Sequence, residues 1–94
     1  MSPLRLLFDG KTVTTISVDS DLGKAHFRGV SPDARFLSDR QFRVFLQGGT
    51  WMLEHLATAT NETLCEGKRV IGAIALRAGM TIAVGNSAKG VSKF

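Results

Sequence analysis

Residues 42–56, Phe42-Arg43-Val44-Phe45-Leu46-Gln47-Gly48-Gly49-Thr50-Trp51-Met52-Leu53-Glu54-His55-Leu56, decide the fold class. The first arm alternates at a period of two, which puts Phe42, Val44 and Leu46 on one face of a strand. Gln47-Gly48-Gly49 turns the chain, and Thr50 to Leu56 runs straight back as the second arm of a hairpin.

The same pattern extends outward in both directions. Leu4 to Phe8 reads as a strand, Asp9-Gly10-Lys11 as a turn, and the β-branched run Thr12 to Val18 as the returning strand. Asp19-Ser20-Asp21 breaks the run, and Leu22-Gly23-Lys24-Ala25-His26-Phe27 reads as a short third strand entering a loop. Gly29 to Asp33, with Pro32, is expected to be loop, and Ala34 to Leu37 a very short strand. Beyond the central hairpin, residues 57–63 read as loop and Leu64 to Glu66 as a strand. A turn at Gly67-Lys68 leads to a strand over Arg69 to Ile71. Ile74 to Leu76, a turn at Ala78-Gly79, and Met80 to Val84 follow. Residues 86–94 are expected to form a flexible tail or a last edge strand.

No segment carries a helical 3.6-residue period through three turns, and turn signals recur at about the 8–12-residue spacing of sandwiches and barrels. The expectation is an all-β domain spanning 1–94, a two-sheet antiparallel sandwich of short strands. Ninety-four residues support one modest core. With 44% hydrophobic and 21% charged residues the composition is that of a globular chain. The apolar run at residues 4–8 is too short for a signal peptide, and nothing approaches the roughly 20 apolar residues of a membrane span. Cys65 is the only cysteine, so no intrachain disulfide forms and a cytoplasmic location is expected.

Catalytic and metal chemistry find little footing. His26, His55 and Cys65 lack zinc-ligand spacing, and His55 beside Leu53 and Leu56 reads as a hydrogen-bonded structural histidine. Cys65, between Leu64 and Glu66, reads as a buried inert thiol. No nucleophile elbow, phosphate-binding glycine loop or paired-carboxylate motif is present, so no enzyme activity and no cofactor are expected. The formal charge of +4 permits an acidic partner. A nucleic-acid-binding β-barrel would want exposed aromatics between its basic residues. Here Phe42 and Trp51 occupy core-like positions, and Arg35, Arg40 and Arg43 read as a solvated face.

Three polar segments carry more information: Gly23-Lys24, Ser38-Asp39-Arg40-Gln41 and Ala59-Thr60-Asn61-Glu62-Thr63. Gathered at one end of a sandwich they would supply cations, hydroxyls and an amide, a set suited to a phosphate on a peptide. Taken by spacing alone, Ser38, Thr60 and Asn61 read more simply as turn stabilisers.

In order along the chain, five motifs resemble those of the forkhead-associated (FHA) domain. Leu22-Gly23-Lys24 is similar to that family's Ile-Gly-Arg, and Leu37-Ser38-Asp39-Arg40-Gln41-Phe42 to its Val-Ser-x-x-His-Ala. The hairpin return Gly48-Gly49-Thr50-Trp51-Met52-Leu53 resembles its Gly-x-Trp-x-Leu, and residues 59–70 its Ser-x-Asn-Gly-Thr-x-Val-Asn-Gly-x-x-Val. Leu76 to Gly85 resembles its Leu-x-x-Gly-Asp-x-Ile-x-Ile-Gly. The resemblance implies a β-sandwich that binds phosphothreonine peptides of a partner protein through loops at one end. It implies that Lys24 meets the phosphate, that Ser38 donates its hydroxyl to it, and that Arg40 supports the charge. Thr60 would line the pocket and Asn61 would bond the peptide backbone.

Several positions depart from the pattern. Lys24 replaces an arginine, keeping charge without the bidentate fork. Gln41 stands where the family has a histidine that braces the loops, and Glu62 replaces a glycine. Two unit charges about 4 Å apart interact by roughly 4 kcal/mol at an effective dielectric near 20, so an inward Glu62 or Asp39 would offset one cation. A domain diverged in this way resembles protein-docking modules of larger, for instance bacterial, assemblies that need no phosphate.

Overall fold

A computed structural model describes residues 3–8, 11–29, 37–85 and 92–93. The expected turn at Asp9-Gly10, the loop over residues 30–33, the short strand over residues 34–36 and tail residues 86–91 and 94 lie outside the described residues.

The fold is all-β. Its strands are β1 (Leu4–Phe8), β2 (Lys11–Ile16) and β3 (Ser20–Leu22), then, after the one-turn helix α1 (Lys24–Phe27), β4 (Phe42–Gln47) and β5 (Thr50–His55). The chain continues through β6 (Glu62–Cys65), β7 (Lys68–Arg69), β8 (Ala73–Ala75), β9 (Ile82–Gly85) and β10 (Ser92–Lys93). All pairings are antiparallel. They build a two-stranded sheet β1-β2, a four-stranded sheet β3-β4-β5-β8, and a second four-stranded sheet β10-β9-β6-β7.

The β4–β5 hairpin follows from its sequence. Gln47 pairs with Thr50 across the two-residue turn. Gly48 (φ 58°) and Gly49 (φ 86°) both take positive φ, as the hairpin turn that suits strand twist requires. Register then sets Phe42 against His55, Val44 against Leu53 and Leu46 against Trp51. Phe42, Val44 and Leu53 are fully buried, and Trp51 packs on the cluster they belong to. Leu6 and Ile16 from the small sheet, Leu22 from β3, and Cys65, Ile82 and Val84 from the other large sheet complete one core with Phe27, Leu37 and Val70. Each fully buried side chain of this kind contributes about 1.5–3 kcal/mol.

Four sequence expectations need correction. The third strand stops at Leu22, and Lys24–Phe27 form a helical turn instead. The His26 N–H bonds the Gly23 carbonyl (3.0 Å), and the Gly23 N–H bonds the imidazole Nδ1 of His26 (3.2 Å), which closes the chain on itself. The second strand ends at Ile16, because its partner strand begins at Leu4, opposite Ile16. Val18 is consequently 71% exposed. The loop after the hairpin is shorter than expected. Glu62 and Thr63 already pair with Gly85 and Val84 of β9, a long-range contact with no local signature. Finally, the β6–β7 turn sits at Glu66-Gly67 and β7 holds only Lys68–Arg69, leaving Ile71 outside the strand and 73% exposed. Glu66 takes the unusual φ of 54°. Its backbone N–H donates to the Thr81 carbonyl (2.9 Å), and its carboxylate accepts from the Thr81 N–H (2.6 Å), which ties the turn to the neighbouring chain.

Cys65 is buried, and burial, followed by the adjacent Glu66 carboxylate, pushes its thiol up from the ordinary value of 9.0. Among the described residues no helix is long and apolar enough to cross a membrane.

Candidate functional site

The site begins with a close approach of two backbones. Gly23 lies so near residues 38–39 that a Cβ built on it would stand 2.0 Å from the Asp39 carbonyl oxygen and 2.5 Å from that of Ser38. Only glycine allows this contact. Through it the Lys24 N–H donates to the Ser38 carbonyl (3.0 Å), and the Gln41 N–H donates to the Leu22 carbonyl (2.8 Å). The segment 38–41 is thereby held against the end of β3 and the start of α1.

Gln41 joins this segment to the next loop, and it is fully buried. Its Oε1 accepts from the Ser38 N–H (3.1 Å). Its Nε2 donates to the Asn61 carbonyl (2.7 Å) and to the Thr63 hydroxyl (3.1 Å). Its backbone carbonyl accepts from the Leu56 N–H (3.2 Å). Thr63 is also fully buried, and its Oγ1 lies 2.8 Å from Nδ1 of His55. A second link joins the loops where the Thr60 N–H donates to Ser38 Oγ (2.9 Å). No described buried side-chain nitrogen or oxygen lacks a partner, as a stable polar interior requires.

Between these segments opens a hollow of about 600 Å³, lined by Lys24, Leu37, Ser38, Asp39, Arg40, Thr58, Thr60 and Asn61. All five residues expected to contact a ligand, Lys24, Ser38, Arg40, Thr60 and Asn61, are on its wall. Ser38 Oγ accepts one hydrogen bond from the loop and still has a hydroxyl proton to donate. Lys24 makes no ion pair with a described residue. Arg40 is engaged: its Nε donates to Asp21 Oδ2 (2.9 Å) and its Nη2 bonds the same oxygen. Arg43 approaches Asp19 (3.9 Å) and lies over the Phe45 ring at 5.0 Å, away from the hollow's wall.

The two acids near the expected phosphate position, Glu62 and Asp39, behave differently. Glu62 does not line the hollow; its carboxylate faces Arg69 at 3.5 Å. Asp39 does line it. Sequence reasoning missed Gln41 as a brace, since the residue appears there only as a lost histidine. Its position three residues after Ser38 is the one local signal of the bond that forms. Thr58 and Leu37 were also missed, and neither carries a chemical signature in sequence. Among the described residues no three His, Cys, Asp or Glu side chains gather to hold a metal ion.

The chain matches no protein-family model, no curated protein and no solved structure significantly.

Proposed function

We propose that the chain is a non-enzymatic, cytoplasmic recognition module of the forkhead-associated type, a two-sheet sandwich that takes a phosphothreonine of a partner protein into the hollow between its loops. The observation that carries this reading is convergence. Lys24, Ser38, Arg40, Thr60 and Asn61 come from three separate segments and line one hollow. Its volume falls within the roughly 300–1,000 Å³ of ligand-sized pockets. An ammonium at Lys24 that makes no ion pair among the described residues and a donating hydroxyl at Ser38 are the groups that recognise a phosphate dianion. Gln41 supports the reading by doing the bracing expected of a histidine at that position.

Calorimetry and amide-shift mapping with matched phosphothreonine, phosphoserine and unphosphorylated peptide libraries test it. Shifts are expected at Lys24, Ser38, Thr60 and Asn61 with the phosphothreonine library, and Lys24→Ala should weaken binding by about tenfold, as loss of one charge-assisted bond does. Equal binding of unphosphorylated peptides, or shifts away from these loops, overturns it.

One observation favours a second reading, docking of an unphosphorylated protein segment in the same hollow. Asp39 lines the hollow along with Lys24, and Asp21 already compensates Arg40, so the wall holds little net positive charge. The unphosphorylated library separates the two.

A further inference from the structure

We propose that His55, outside the hollow's wall, is a positioning residue for the loops. In its neutral Nε2–H tautomer it terminates a one-way hydrogen-bond chain that fixes the Gln41 amide. The inference concerns the order of the loops and stands whether or not they take a phosphopeptide.

The direction of the chain follows from groups whose polarity cannot change. The Ser38 backbone N–H can only donate, so the Gln41 atom 3.1 Å from it is the amide oxygen. The Asn61 carbonyl can only accept, so the Gln41 atom 2.7 Å from it is the amide nitrogen. A flipped amide would set oxygen against oxygen at Asn61 and nitrogen against N–H at Ser38. Gln41 therefore holds one orientation, and its second N–H points to Thr63 Oγ1 at 3.1 Å. Thr63 accepts there, so its own proton points elsewhere. The next partner of that hydroxyl is Nδ1 of His55 at 2.8 Å. Nδ1 must then be the acceptor, and the ring proton belongs on Nε2.

The opposite arrangement is costly. A proton on Nδ1 would make Thr63 Oγ1 accept from both Gln41 and His55. Its hydroxyl proton would then point into a fully buried site. A buried donor left without a partner is strongly disfavoured. The groups around His55 offer no ionic counterweight among the described residues. Phe42 stands opposite on β4, and Glu54 lies on the other face of β5 across from Arg43. On β6, Glu62 faces Arg69, and Cys65 is kept protonated by burial. Lys24, Asp39 and Arg40 of the hollow form no ion pair with the imidazole. Protonating His55 thus acts on the loops through Thr63 and Gln41.

Long-range proton–nitrogen spectra of the wild-type ring, with amide hydrogen exchange at Ser38 and Thr60, test the proposal. Near neutral pH the Nε2–H tautomer is expected. The pH is then lowered in steps until the ring signals report the imidazolium. Protection at the two amides should then fall by about tenfold, together with the ring signals. His55→Phe should lose the same protection at all pH values. His55→Asn, which keeps an acceptor at the Nδ1 position, should restore it and abolish the pH dependence. An Nδ1–H tautomer overturns the proposal, as does a pH response that persists in His55→Asn. If either variant fails to fold, the wild-type ring spectrum and pH series decide alone.

Discussion

In the β4–β5 hairpin six consecutive residue pairs run from Phe42–His55 to Gln47–Thr50, closed by two glycines that sit between the strands they join. At the loop end, segments 38–41 and 58–61 meet from distant parts of the chain. They hang on one buried amide, Gln41, and on the link from Thr60 to Ser38. The hairpin spreads its stability over a ladder and a packed apolar face. The loop end concentrates its order in a few directional bonds, so it is the more fragile region.

The sharpest way to test that contrast is to damage each region once. Phe42→Ala empties a fully buried position under the hairpin, and large-to-small aromatic changes of this kind cost about 3–5 kcal/mol. Denaturant unfolding should show that loss as one cooperative shift, with the loops and sheets failing together. Gln41→Leu keeps the volume but removes the hydrogen bonds to the Ser38 N–H, the Asn61 carbonyl and the Thr63 hydroxyl. The expected cost is roughly 3 kcal/mol. Hydrogen exchange should rise first at Ser38 and around Asn61 while the β4–β5 amides stay protected. A uniform loss would break the comparison.

The smallest expected effect comes from Cys65, which lies on the hairpin-like side of the contrast: its thiol is held by burial rather than by a directional bond. Its raised pKa means the folded protein keeps the thiol proton at pH values where the unfolded chain has released it. Stability from this source is full below the unfolded thiol's value and is lost as pH rises through the folded one. Urea midpoints measured on the alkaline side of pH 9.0 should therefore fall more steeply in the wild type than in Cys65→Ala, whose absolute stability is lower. Parallel slopes would remove the effect.

Much of this architecture is legible locally. Alternating apolar residues and Gly48-Gly49 specify the central hairpin because period and turn chemistry are properties of adjacent residues. Leu4–Phe8 is legible on the same grounds. The start of β6 is not, because Glu62 and Thr63 become strand only through Gly85 and Val84. Lys24–Phe27 is hidden for a related reason. An imidazole closes that turn, and a backbone approach at Gly23 forbids the strand from continuing. In the hollow, residue types suited to a phosphate are readable one by one, but Gln41 reads as a departure until its three partners stand around it.

The sequence by itself determined that the chain is β-rich and which polar side chains merit attention. Both depend on residue type and near-neighbour spacing. Only tertiary structure decided that Lys24, Ser38, Arg40, Thr60 and Asn61 share one wall, that Glu62 turns toward Arg69, and that Asp39 lines the hollow while Glu62 does not. Those outcomes depend on the relative position of chain segments up to 37 residues apart (61 − 24). They are set by the shared core beneath them and by the donor and acceptor polarity of a few buried groups.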